Sequence, residues 1–272
     1  MFFFKNVDNI YRAVGSQSLL SFFMIFTLIY KSNIGAITVT TVFHEGEIII
    51  QTESGVEERV RKFGNKLVRD HLIDQHKVFF ENLPYVFVAL HDEYGQLWVS
   101  IIEIRPGFIQ SPDNKTLNLN RVVIGFSQLG LQTKIGSPIS IVGLDLNTRR
   151  RNRLNGTLKA TAERDHHLSI TIENSPGQLW FLDYPSNNFF QTFGNIHKHS
   201  NVSLMFLDFE SGDLILVCGM ARLETLTNAS KVTAPTKKQP FLPRRIHFTL
   251  ERGFRFKNTV AGRWSASELS PF

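Results

Sequence analysis

Hydrophobic and polar positions change period along this chain, and the change marks its elements. From Gly55 to Leu72 (GVEERVRKFGNKLVRDHL), apolar residues fall at Val56, Val60, Phe63, Leu67 and Val68, with charges between them. A 3.6-residue helix gathers those positions on one face, so an amphipathic helix is predicted here. Asp74 is placed to cap a second, short helix through Phe80, which ends before Pro84. Beyond Pro84 the period becomes that of strands. YVFVALH and QLWVSIIEI flank DEYG, a hairpin turn signal between two β-rich runs. TLNLN, SPISIVGLDL, RRRNRLNGTLKA and HLSITIE follow, each bounded by Gly, Pro, Asn or Asp. VSLMFLDF and LILVCGMARLE are joined by ESGD, a second hairpin signal, and RRIHFTLERGFRF adds another strand. Strands outnumber helices and no strand-helix alternation appears, which predicts a mainly β fold with flanking helices (α+β) and an antiparallel sheet.

Residues 1–42 follow neither pattern. Lys5 and Arg12 precede an apolar run from Leu19 to Tyr30 (LLSFFMIFTLIY), too short to span a bilayer of about 30 Å. Two readings stand: a leader or membrane tether, with membrane contact through residues 19–30, or an extension with no part in the fold. On the second, the fold starts at Phe43 and a chain beginning near Thr41 keeps its stability.

Ile139 to Gly156 (ISIVGLDLNTRRRNRLNG) lies over Val202 to Gly219 (VSLMFLDFESGDLILVCG) without a gap, each reading as strand, polar turn, strand, Gly. GQLW recurs as well, at Gly95 to Trp98 and Gly177 to Trp180. Similar hairpins resemble one another by chance, or the two pieces belong to related β units in one barrel-like body. The second reading divides the chain into an extension (1–42), a first unit (43–175) and a second, shortened unit with a basic tail (176–272).

Composition narrows the functional classes. The chain has 272 residues, 42% hydrophobic and 20% charged, which describes a globular protein. Its formal charge of +6 comes from the tail, since residues 231–272 hold nine Lys or Arg against two acids. The remaining body is near neutral, which argues against non-specific nucleic-acid binding. A lone cysteine, Cys218, excludes an internal disulfide and fits a reducing, cytoplasmic setting. The chain lacks G-x-G-x-x-G, G-x-x-x-x-G-K-[ST], H-E-x-x-H and G-x-S-x-G, so Rossmann, P-loop, zincin and α/β-hydrolase chemistry lose their usual support. The histidines lack a third ligand at chelating spacing, and no metal site is expected.

Arg149, Arg150, Arg151 and Arg153 form the densest charge in the chain. On a strand, Arg149, Arg151 and Arg153 share one face while Arg150 and Asn152 share the other. Three guanidinium groups on one face suit a phosphate; equally, they suit an edge strand protected by charge. Trp98 and Ser100 share a strand face, and the run Asn187 to Asn195 (NNFFQTFGN) mixes amides with aromatics.

FHEGE (Phe43 to Glu47), the GVEERV helix, RDHLIDQHKVFFENLPYVFVAL, the DEYGQLWVS hairpin, RPGFIQSPDNKTLNL, GSPISIVGLDLNTRRRNRLNG and NNFFQTFGNIHKHSNVSLMFLDFESGDLILVCGMARLE together resemble the pyridoxamine 5'-phosphate oxidase-like, FMN-binding split-barrel family, in its flavin-nucleotide-binding branch. W-x-x-x-x-L-S-P at Trp264 to Pro271 adds to the likeness. The resemblance implies an antiparallel split β-barrel, partly duplicated, with FMN at its edge in a cleft between two subunits or units. It implies Trp98 and Ser100 beside the flavin ring or ribityl chain, Arg149, Arg151 and Arg153 at the phosphate, and Asn188 and Asn195 as polar contacts. It further implies a homodimeric flavoprotein oxidoreductase working on a small-molecule substrate or a redox partner protein. One piece departs from the pattern: TIENSPGQ runs almost directly into LWFLDYPSNNFF, without an SHRGG-like segment. That departure favours the alternative, a catalytically silent flavin-nucleotide-binding or scaffold protein.

Overall fold

The computed structural model describes residues 21–26, 42–103, 109–119, 132–145, 148, 150–159, 178–182, 189–226 and 244–262. A short strand, β1 (Ser21–Phe26), precedes three helices: α1 (Glu45–Glu53), α2 (Glu57–Leu67) and α3 (Asp74–Glu81). Six strands follow: β2 (Tyr85–His91), β3 (Leu97–Glu103), β4 (Ile109–Gln110), β5 (Asn118–Leu119), β6 (Pro138–Leu144) and β7 (Arg151–Thr157). After β8 (Gln178–Leu182) come α4 (Gln191–Lys198), β9 (Asn201–Asp208), β10 (Leu214–Thr225) and β11 (Arg244–Phe256). HLSITIE lies outside the described residues, as does the terminal W-x-x-x-x-L-S-P segment.

Both hairpin signals form, each for a local reason. Asp92 follows β2 and accepts hydrogen bonds through Oδ1 from the backbone N–H groups of Tyr94 and Gln96, both at 2.9 Å. Gly95 supplies the positive φ of 82° that the turn needs. Between β9 and β10, Asp208 Oδ1 accepts from the Glu210 N–H at 2.9 Å, and Gly212 takes φ 71°.

All strand pairs are antiparallel. One sheet has the order β3-β2-β6-β7, a second the order β1-β9-β10-β11-β8, and β4 pairs with β5. The period-two pattern of β9 and β10 explains how they pack. Met205, Leu207, Leu214, Leu216 and Cys218 enter a core shared with β2, β3, β6 and α3. The alternate residues Val202, Leu204, Phe206, Ile215 and Val217 enter a second core with Ile196 of α4. Both faces are buried, so these strands are apolar throughout rather than alternating. Ser203, fully buried, links the two sheets: its Oγ accepts from the Val99 N–H at 3.0 Å and donates to the Val217 carbonyl at 2.9 Å. The result is an α+β, split-barrel-like arrangement. The larger core takes side chains from both sides of residue 175, where the repeat reading divides the chain.

Four details differ from the sequence expectation. The helix α1 was not foreseen. Asp74 opens α3 as its first residue, and the N-cap position belongs to Ile73, which makes no side-chain cap bond. Of the apolar face predicted for α2, only Val60 is buried, whereas Phe63, Leu67 and Val68 are exposed. In addition, Ser21–Phe26, ahead of the expected start at Phe43, pair with β9 over their whole length. Among the described residues, no helix is long and apolar enough to cross a membrane.

Candidate functional site

A group of polar residues distant in sequence comes together where α1, β7 and α4 meet. His44 is the N-cap of α1, and its Nδ1 accepts from the Gly46 N–H at 3.1 Å. Glu47 Oε2 accepts from the His44 N–H at 2.8 Å, which completes a capping box with His in place of the usual Ser or Thr. Because Nδ1 is an acceptor, the ring proton is assigned to Nε2, which donates to Asn195 Oδ1 of α4 at 2.7 Å. Burial lowers the His44 pKa, against the opposing effect of the Asn195 bond, and so favours the neutral ring.

His44, Glu47 and Gln51 follow helical spacing and share one face. Gln51 is buried, and its Nε2 donates to the Phe189 carbonyl at 3.1 Å. Glu47 is only 4% exposed, and burial pushes its carboxyl up to about 7, against the pull of the His44 N–H and of Arg153. The helices approach closely because two glycines face each other. A β-carbon on Gly46 would overlap the Gly194 carbonyl oxygen, and one on Gly194 would lie 2.5 Å from the Glu47 nitrogen.

From the other side comes β7. Arg153 donates through Nη1 to Gln191 Oε1 at 3.0 Å. Burial pulls its guanidinium down to about 10, Arg151 pushes the same way, and Glu47 opposes both. Arg151, two residues away on the same strand face, is exposed. Arg150 points elsewhere, as the alternation predicts: it donates to the Gln75 carbonyl at 3.4 Å and lies 4.8 Å over the Phe79 ring. A buried arginine, Arg244 of β11, closes the back of the site. Its Nη2 donates to Ser54 Oγ at 2.8 Å, and its guanidinium carbon lies 5.3 Å from the Phe190 ring centre.

The structure thus brings Arg153 and Asn195 into one cluster, with Arg151 at its exposed rim. Trp98 and Ser100 lie elsewhere. They are on β3, three strands from β7 and so about 14 Å away across the sheet. Both are fully buried, and Trp98 Nε1 donates to Asp92 Oδ2 at 2.9 Å while its ring packs against Phe254. Arg149 and Asn188 lie outside the described residues. Sequence reasoning missed His44, Glu47, Gln51 and Gln191 as site residues. The readable signal was His-x-x-Glu in FHEGE, which has capping-box spacing.

Chemically, the cluster offers a guanidinium pair, three amides (Gln51, Gln191 and Asn195) and a carboxyl whose pKa burial raises to about 7. It suits an anion held by Arg151 and Arg153, with Glu47 as a nearby proton reservoir.

Fold and site together define a mainly β, α+β protein with a split-barrel-like core and an anion-suited cluster at one edge. No family model and no curated protein matches the chain. Among solved structures, a Lactobacillus delbrueckii protein provisionally described as a pyridoxamine 5'-phosphate oxidase is 16% identical. The match covers 69% of this chain and 97% of that one, with a TM-score of 0.24. HupZ of Group A Streptococcus is 13% identical over 68% of this chain and 98% of that one, again with a TM-score of 0.24. At that score neither likeness establishes a common function.

Proposed function

We propose that the chain is an FMN-binding flavoprotein of the pyridoxamine 5'-phosphate oxidase-like kind, acting as an oxidoreductase on a substrate not yet identified. The observation that supports this most is the meeting of Arg153, from RRRNR, with Gln191 and Asn195, from NNFFQTFGN, in one cluster. Those segments are about 40 residues apart in sequence, and both carry the family resemblance. The fit to FMN is good at one end only. Arg151 and Arg153 suit a phosphate, with Gln191 and Asn195 as adjacent amides. Trp98 and Ser100 do not fit as ring contacts, because both are sealed in the core of this chain. The remaining wall then comes from a second copy, as in the homodimer that the resemblance implies. Bound FMN would supply hydride and electron chemistry; the chain's own part is to hold the phosphate and set the polarity around it.

A second reading, a silent flavin-nucleotide-binding protein, is favoured by the same sealed Trp98 and Ser100. Spectra of the purified chain titrated with FMN, followed by addition of a reduced nicotinamide donor, separate the two. Saturable binding with bleaching supports the oxidoreductase; saturable binding without reduction supports the silent reading. Failure to bind FMN overturns both. Arg151→Ala with Arg153→Ala is expected to raise Kd by at least about tenfold, since charged hydrogen bonds contribute roughly 1.5–3 kcal/mol each.

A further inference from the structure

The helix α2 presents a face that the fold does not use. It lies against α1, with Val60 buried and Gly64 close to the ring of Phe43, just ahead of α1. Next to that contact, Phe63 is 55% exposed and Leu67 63%. They are four residues apart on a helix and so adjacent on its surface. Val42, beside Gly64, and Val68, just past the helix, extend the apolar strip and are also exposed. From Arg59 to Arg69 the chain carries five basic residues and no acid. All five, Arg59, Arg61, Lys62, Lys66 and Arg69, are exposed. The acids of α2, Glu57 and Glu58, sit at its N-terminal end, and Thr52 Oγ1 donates to Glu57 at 2.7 Å.

We propose that α2 is a docking face for an anionic membrane surface. Phe63 and Leu67 enter the headgroup boundary. The long stems of Arg59, Lys62 and Lys66 lie along the apolar strip, and their charged ends reach lipid phosphates. Charge complementarity selects this occupant. Two-fold pairing of α2 with a second copy would bring together five basic residues from each copy, offset only by Glu57 and Glu58 at the helix ends, which is repulsive on balance. Among the described residues α2 lies beside α1 and the Val42–Phe43 segment, with Phe63 and Leu67 left exposed on a convex helical surface, and such a ridge fits a planar, deformable surface. Basic residues near such a surface each strengthen binding by roughly fivefold, and salt weakens that contribution.

Sedimentation of the full chain with vesicles tests the proposal. Binding is expected to vesicles of phosphatidylcholine mixed with phosphatidylserine, weakly or not at all to phosphatidylcholine alone, and less at high salt. Phe63→Ser with Leu67→Ser is expected to reduce it by about tenfold or more with an unchanged thermal melt, because both side chains are already exposed. Lys62→Glu with Lys66→Glu, which leaves the apolar pair intact, is expected to abolish it. The proposal is overturned by absence of binding to either vesicle. It is also overturned by binding in both double variants that equals that of the native chain, which would move the contact to another segment. Light scattering without lipid supplies the last arm: a dimer in the native chain that the double variants dissociate would make α2 a protein interface.

Discussion

The environment of Glu47 brings its titration close to neutral pH. Burial raises its carboxyl from the ordinary 4.5 to about 7. In the folded chain it therefore keeps a proton over a pH range in which the unfolded chain has lost it. The stability it contributes is complete below about pH 4.5 and is lost as pH rises towards 7, a change of about 3 kcal/mol at 1.36 kcal/mol per unit. Arg153 stays charged throughout that window and adds no slope. His44 has a lowered folded pKa and acts with the opposite sign, so the raw pH profile mixes the two. Glu47→Gln separates them. It keeps an oxygen acceptor for the His44 N–H and removes the titration. Urea unfolding between pH 4.5 and 7.5 is expected to show the variant gaining stability relative to the native chain as pH rises. Parallel curves would mean that the Glu47 carboxyl is as well solvated as a surface one.

At the scale of elements, the glycine contact between α1 and α4 is what assembles the site. Replacing Gly194 by Ala puts a methyl group 2.5 Å from the Glu47 nitrogen and 2.7 Å from its α-carbon, both backbone atoms that cannot turn aside. The helices must separate, at a cost of about 1–3 kcal/mol for overpacking. His44 would then lose its bond to Asn195 and gain water, so its pKa, followed by ring proton NMR, is expected to rise towards 6.5. An unshifted His44 in Gly194→Ala would show that the interface gives elsewhere. This contact also marks the limit of what the sequence discloses. DEYG and ESGD are readable because a turn is a local event, set by Asp92 with Gly95 and by Asp208 with Gly212. The strands among the described residues are readable because apolar, β-branched and aromatic runs bounded by turn residues mark a strand even where both of its faces are buried. His44 and Asn195 are 151 positions apart, and no periodicity reports a bond across that distance. Arg151 and Arg153 were legible as one face, but what they face was not. Trp98 is placed beside the flavin ring only by the family resemblance, since an aromatic on a strand is equally at home in a cleft or a core; here it is buried and its indole N–H donates to Asp92. On α2 the pattern misled in the other direction, since helical spacing of Phe63 and Leu67 records amphipathicity whether or not a partner covers it.

For the whole molecule, the sharpest test concerns the residues ahead of Phe43. Hydropathy alone makes them an appendage, and a chain beginning near Thr41 should then melt as the full chain does. The pairing of β1 argues otherwise: its six residues run antiparallel to β9, from Ser21 opposite Asp208 to Phe26 opposite Ser203. Without β1, β9 becomes the edge of its sheet, and its apolar stretch Val202 to Leu207 would offer unpaired backbone groups to other molecules. The strand would remain in place, because Val202, Leu204 and Met205 are fully buried in the two cores and Ser203 still joins β3 to β10. The shortened chain is therefore expected to fold, to melt lower by roughly 2–4 °C for each kcal/mol lost with β1, and to aggregate as concentration rises. Thermal melts and light scattering of the two chains at matched concentration measure both effects. An equal melt and a monodisperse shortened chain would remove β1 from the fold and return residues 1–42 to the role of a leader, tether or extension.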